Sequence, residues 1–113
     1  TPPRGVYCVA YRRGEPVGMG AHRPVDAEAT ELRRMYVLKR HRRSGVAAAL
    51  VAAIERHAAA QGFTTVVLET GYRQQPAMQL YESLGYQRVP AFGDYRDDPT
   101  SVCYQKALPV ARG

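Results

Sequence analysis

A basic turn, Arg42-Arg43-Ser44-Gly45, runs straight into an alanine-rich segment, Val46-Ala47-Ala48-Ala49-Leu50, and this junction constrains the fold more than any other stretch. Beyond it, Val46, Leu50, Ile54 and Ala58 recur every fourth residue, the spacing of an amphipathic helix with one buried stripe. Gly62 marks the natural stop, so the pattern predicts a helix over 46–61. The start of a helix leaves backbone N–H groups without partners and carries partial positive charge, which suits a phosphate-bearing ligand. Gly45 permits a tight turn, and Arg42 and Arg43 add fixed charge at its rim. The junction therefore reads as a cradle for a pyrophosphate.

The rest of the chain supplies strands around this helix. Val6 to Arg12 and Val17 to Arg23 are rich in β-branched and aromatic residues and are separated by a turn over Arg13-Gly14-Glu15-Pro16, which predicts an opening hairpin. Glu31 to Leu38 is expected as a third strand and Thr64 to Thr70 as a fourth. The unit from Glu31 to Thr70 would then be a right-handed parallel crossover. A second helix is expected from Pro76 to Gly85, with Ala77, Leu80, Tyr81 and Leu84 inward. Two strands, Tyr86 to Val89 and Ser101 to Leu108, complete a mixed, mostly antiparallel α/β sheet with a central parallel β-α-β crossover and two main helices. At 113 residues this is one small domain, 1–113, with loose ends at Thr1-Pro2-Pro3 and 109–113.

Charge is concentrated. The formal net charge is +6, and Arg33, Arg34, Lys39, Arg40, Arg42 and Arg43 all lie between positions 33 and 43, with His41 among them. So local a cluster indicates one anionic ligand or a solvated rim, not general affinity for nucleic acid. A nucleic-acid-binding domain is a low-ranked reading, because neither helix carries a basic face and the strands are expected to lack exposed aromatic pairs. Cys8 and Cys103 have no metal or redox spacing and read as buried thiols in a reducing compartment, hence a cytoplasmic protein. No His, Cys and carboxylate grouping has ligand spacing, so no metal is expected. No apolar run is long enough for a membrane span.

Two motifs in sequence order carry a family resemblance. Arg42-x-x-Gly45-x-Ala47 follows Met35-Tyr36-Val37, and Leu80-Tyr81-Glu82-Ser83-Leu84-Gly85-Tyr86 lies further on. Together they resemble the GNAT superfamily of acyl-CoA-dependent N-acyltransferases, over nearly the whole span from Val6 to Leu108. The tail from Phe92 to Lys106 is similar to that of a bacterial subgroup. Compared with the family pattern, the chain begins after the usual first strand and first two helices, which leaves room for a homodimer or strand exchange. Ala47 replaces the later glycine, and Gln74 stands where many relatives have an asparagine touching the pantetheine arm.

The resemblance implies acetyl transfer from acetyl-CoA to a primary amine by direct attack in a ternary complex. It places Met35, Tyr36, Val37, Arg42, Arg43, Ser44, Gly45, Val46, Ala47, Ala48, Gln74 and Tyr81 along coenzyme A. It assigns the backbone N–H of Met35 to the developing oxyanion, the hydroxyl of Tyr81 to the leaving sulfur, and Glu31 to the amine proton. Strand alternation would put Glu31 on one face with Arg33, Met35 and Val37. Structural alternatives stand beside each role: a salt bridge for Glu31, a core aromatic for Tyr81. Glu69 is a second carboxylate facing the cleft. Asp94, Tyr95, Asp97 and Asp98 are turn residues or an attraction for a cationic amine. His57 is expected at the surface or the helix end, His22 at a strand end or lining the acceptor side, and His41 beside the phosphates. The alternative function is a catalytically silent acyl-CoA-binding module.

Overall fold

The computed structural model describes residues 6–109. The loose ends expected at 1–3 and 110–113 lie outside these residues. Strand β1 (Val6–Arg12) turns into β2 (Glu15–Pro24), followed by β3 (Ala29–Val37), α1 (Val46–Ala60), β4 (Thr65–Gly71), α2 (Gln75–Ser83), β5 (Gln87–Val89) and β6 (Ser101–Ala107). The strands form one sheet in the order β1-β2-β3-β4-β6-β5, and only the β3–β4 pair is parallel.

The hairpin turn is shorter than the sequence implies. Arg13 and Gly14 alone make it, with φ of 53° and 81°, both in the left-handed region that twists with the strands. Glu15 already pairs with Arg12, and Pro16 pairs with Tyr11. A proline inside a strand is tolerated at a bulge, and the register shifts between Ala10 and Tyr11, leaving Val17 as the extra residue. Val17 turns its side chain into the core beside Val46 and Leu50.

Both helices pack on one face of the sheet. Val46, Leu50, Val51, Ile54 and Ala58 of α1 are buried, as the fourfold spacing predicts. Ile54 and Tyr81 share a core with Leu32, Val66, Leu68, Tyr86 and Tyr104. Gly85, with φ of 94°, follows α2, and the Tyr86 N–H returns to the Tyr81 carbonyl at 3.0 Å. The connection over 90–100 folds over the opposite face, where Tyr95 reaches Glu31 of β3.

A second bulge decides which side chains of β3 point where. Met19 pairs with Tyr36 and Ala21 with Arg33, so Gly20 stands opposite two residues, Arg34 and Met35. Arg34 takes the left-handed conformation (φ 56°). One extra residue flips the alternation. Leu32, Met35 and Val37 therefore face the helices; a Cβ added to Gly20 would stand 2.5 Å from Met35 Sδ and 2.9 Å from Ile54 Cδ1. Glu31 and Arg33 lie on the other face. The expectation of one shared face for Glu31, Met35 and Val37 is thus corrected.

Candidate active site

Gly45 is the N-cap of α1 and has φ of 87°, a conformation that costs an L side chain about 1–2 kcal/mol. No heavy atom lies within 4 Å of where its Cβ would be, so the space in front of the turn is open. The first α-helical bond runs from the Ala49 N–H to the Gly45 carbonyl at 3.0 Å. The amides of Val46, Ala47 and Ala48 before it have no carbonyl within the helix to pair with. Arg42 is anchored by its Nε donating to the Val37 carbonyl at 3.2 Å, and Ser44 Oγ donates to the His41 carbonyl. His41, Arg42, Arg43, Gly45, Ala47 and Ala48 line one concavity with Val37 and Leu80. Three unpaired amides, two guanidiniums and a cradle that a Cβ would enter fit a diphosphate. Ser44 and Val46 do not line this concavity: the first is exposed with its hydroxyl engaged, the second buried in the core.

From the cradle the cleft follows a gap in the sheet. Strands β3 and β4 pair only at Ala29–Thr65, Thr30–Val66 and Glu31–Val67. Beyond Glu31 they separate, so the edge of β3 from Leu32 to Val37 has no ladder on that side. Met35, Tyr36 and Val37 line a cleft of about 500 Å³ with Arg42, Arg43, Gln74, Ala77, Leu80 and Tyr81. This cleft continues between the strands to Arg33, Arg34, Glu69 and Thr70.

Tyr81 closes the inner wall of the gap. Its ring meets Tyr86 edge-on at 5.8 Å and Tyr104 at 6.5 Å. Two of these three hydroxyls are committed: Tyr86 donates to Glu55 at 2.8 Å and Tyr104 to Glu82 at 2.6 Å. Tyr81 carries no such bond to another described residue, and burial alone raises its pKa. It is a neutral phenol among the residues that line the cleft.

Glu31 sits at the vertex of the splay, 6% exposed. Tyr95 donates its hydroxyl proton to Glu31 Oε2 at 2.7 Å, while Arg23 lies 4.0 Å from Oε1. Burial, then the bond to Glu31, pushes the Tyr95 pKa up to about 12. The cavity over Glu31 measures about 510 Å³ and is lined by Arg23, Pro24, Val25, Arg33, Phe92, Gly93, Asp94 and Tyr95. Arg33 also lines the gap beside Tyr81, so the two spaces adjoin. Glu69 faces the gap from β4 and accepts a bond from Ser101 Oγ at 2.7 Å.

Residues 1–86 match the model of the acetyltransferase (GNAT) family. The chain belongs to this family. It is 35% identical over 108 residues to the uncharacterized N-acetyltransferase YsnE of Bacillus subtilis, covering 94% of this chain and 72% of that protein. It spans only 39% of the mouse N-acetyltransferase family 8 member 3, at 37% identity over 88 residues. Among solved structures, a protein assigned as an acyl-CoA N-acyltransferase from Klebsiella pneumoniae superposes with a TM-score of 0.86 at 35% identity, over 92% of this chain and 72% of that one. A GNAT acetyltransferase from Elizabethkingia anophelis with acetyl-CoA bound has the same fold, with a TM-score of 0.81 at 18% identity over 92% and 76% of the two chains. This chain is an acyltransferase of the GNAT type.

The GNAT cleft gathers Met35, Tyr36, Val37, Arg42, Arg43, Gly45, Ala47, Ala48, Gln74 and Tyr81, and holds Glu31 in the adjoining cavity. It also includes Pro76, Ala77 and Leu80 of α2. Arg23 and Phe92 beside Glu31 were missed; the cross-strand pairing of Arg23 with Glu31 would have exposed the first, had the register been known. His22 stands near the end of β2 and His57 in the last turn of α1, as expected, but the two meet in the interior. His22 is 3% exposed and lies under α1, with Nδ1 2.7 Å from Thr30 Oγ1 and Nε2 3.2 Å from His57 Nδ1. His57, at the helix end, is half-buried against it. The strands display single exposed aromatics, Tyr7, Tyr11 and Tyr36 at 62%, 65% and 51%. Among the described residues no three metal-ligating side chains converge, and no helix is long and apolar enough to cross a membrane.

Proposed function

We propose that this chain is an N-acetyltransferase domain that moves an acetyl group from acetyl-CoA to a primary amine by direct attack in a ternary complex. The observation that carries the reading is the continuity of the cleft, from the α1 start, along the unpaired edge of β3, to Tyr81 and the Glu31 cavity. The relative from Elizabethkingia anophelis that holds acetyl-CoA supports the choice of donor.

The amides of Val46, Ala47 and Ala48, with Arg42 and Arg43, hold the diphosphate. Gln74 and the backbone of Tyr36 and Val37 guide the pantetheine arm. Acetyl-CoA supplies the acetyl group as a thioester. The Met35 N–H, on an edge without a neighbouring strand, stabilises charge on the carbonyl oxygen, a contribution of the oxyanion-hole kind. Glu31 takes a proton from the amine, and Tyr81 gives one to the departing sulfur. Each proton transfer typically contributes about 10²–10⁴ in rate. Both cysteines are free, which fits the reducing cytoplasm.

The test measures free thiol released from acetyl-CoA with a panel of primary amines, beside calorimetric binding of coenzyme A. Saturable binding with amine-dependent thiol release is expected. Binding without turnover of any amine would make the protein a silent acyl-CoA-binding module, and a folded protein that binds neither would remove the cleft from consideration.

A further inference from the structure

The cavity over Glu31 carries an unusual mixture of charge, and it is not needed for holding coenzyme A. Arg23 and Glu31 are direct cross-strand partners, and Arg33 follows Glu31 by two residues on the same face. Two guanidiniums therefore flank one buried carboxylate within the reach of a single small molecule, because strand residues two apart are separated by about 7 Å. The opposite wall is the turn at 92–95, where Phe92 and Tyr95 pack edge to face at 5.4 Å. Pro24 and Val25 extend the apolar surface beside them.

Glu31 has one oxygen held by Tyr95, and the other faces Arg23 at 4.0 Å, too far for a close ion pair. The Arg23 side chain is 67% exposed. Within the described residues Glu31 is the only carboxylate in ion-pair range of Arg23, and no ion pair of Arg33 is formed there. Asp94 also lines the cavity but is in no ion pair with either guanidinium, so a simple amine would leave both cations facing the cavity beside the incoming ammonium, which is unfavourable. A molecule carrying a carboxylate a few bonds from its amine satisfies both: the amine meets Glu31 and the acid meets the guanidinium forks.

The geometry points to a zwitterionic acceptor, an amino acid with a free carboxylate and an apolar or aromatic side chain that rests against Phe92 and Val25. The inference rests on the acetyltransferase reading and specifies its acceptor. In the transfer a nitrogen–carbon bond forms and the carbon–sulfur bond of the thioester breaks. The ammonium first sheds one proton through Glu31 to solvent, leaving the neutral amine that attacks. As the bonds exchange, the second amine proton passes to Glu31 and the sulfur takes a proton from Tyr81, so coenzyme A leaves as its thiol. Glu31 returns its proton to solvent and Tyr81 regains one from it, which restores both groups. The carboxylate of the acceptor takes no part in this balance; it sets position.

The experiment compares phenylalanine with phenethylamine and phenylalanine amide as acceptors, reading kcat/KM by thiol release, in the native protein and in Arg23→Glu and Arg33→Glu. The acid is expected to be preferred by about tenfold or more over both analogues that lack the carboxylate, and each charge reversal to cut that preference by about tenfold. Equal or better use of the amine or amide by the native protein overturns the zwitterion and leaves the acetyltransferase standing. An acid preference that neither substitution reduces, in variants with native circular dichroism, also overturns it. No thiol release with any acceptor, despite coenzyme A binding, counts against the acetyltransferase reading itself and takes the acceptor with it.

Discussion

Tyr95 and Glu31 are 64 positions apart in the chain, yet the phenol donates to the buried carboxylate at 2.7 Å. The bond ties the 90–100 connection to the vertex where β3 and β4 part. It fixes one oxygen of Glu31 and leaves the other toward the cavity. Tyr95→Phe should cost about 1–2 kcal/mol in urea unfolding, the range for a hydrogen bond to a charged group that is half-shielded from water. It should also lower kcat, because an unrestrained carboxylate is less often in line with the amine. A variant with native stability and native turnover would show that the contact is incidental.

Tyr81→Phe separates chemistry from packing, since Tyr81 differs from its two aromatic neighbours only in its uncommitted hydroxyl. Turnover should fall by about 10²-fold, with coenzyme A affinity and stability nearly unchanged. Tyr104→Phe should do the reverse, losing about 1–2 kcal/mol with the bond to Glu82 and retaining turnover. Because burial raises the Tyr81 pKa above its usual 10.0, the phenol keeps its proton across the ordinary pH range. Any fall in kcat due to its ionisation must appear above pH 10.0; a Tyr81-dependent limb below that value would refute the assignment.

The cradle and the order of elements were legible because they are local: a fourfold apolar repeat, a glycine before it, strands of β-branched residues. What escaped is non-local or unmarked. The bulge on β3 depends on Arg34 adopting a left-handed φ, which no glycine announces, and it moved Met35 to the face opposite Glu31. Sequence alternation assumes an unbroken strand, so one inserted residue invalidates it from that point on. The His22–His57 contact spans 35 positions and the Tyr95–Glu31 contact 64, and neither has a spacing signature. The family motif brought Tyr81 forward without needing the register, and Tyr81 lines the cleft beside Met35 and Gln74.

Gly45 tests the cradle by two substitutions of different size. Gly45→Ala meets no atom within 4 Å, so its cost is backbone alone, about 1–2 kcal/mol in stability. Gly45→Glu carries the same backbone cost and adds a charge where the diphosphate would sit. Calorimetry should show coenzyme A affinity reduced by about 10²-fold or more in Gly45→Glu, beyond the loss in Gly45→Ala. Equal affinity in the two variants would place the diphosphate elsewhere.

The buried His22 predicts how stability responds to acid. Burial, and then the nearby His57, hold its pKa below the ordinary 6.5. Around it, Thr30 supplies a hydroxyl and Phe63 an edge-on ring at 5.8 Å. In the folded state His22 stays neutral where the unfolded chain already binds a proton. Linkage then makes stability rise with pH between the depressed folded value and 6.5, and that contribution is lost as pH falls through the window. The slope for one full proton approaches about 1.4 kcal/mol per pH unit. Asp26 and Asp98, held low by hydrogen bonds from the Glu28 amide and the Thr100 hydroxyl respectively, act in the same direction but below pH 3.8. Urea unfolding from pH 7.5 down to about pH 5 should therefore show a decline that starts near the imidazole range. His22→Asn should flatten it, and should that variant fail to fold, the imidazole titration of the native protein by NMR serves instead. A His22 titrating at or above 6.5 would mean that the pair with His57 is open to water.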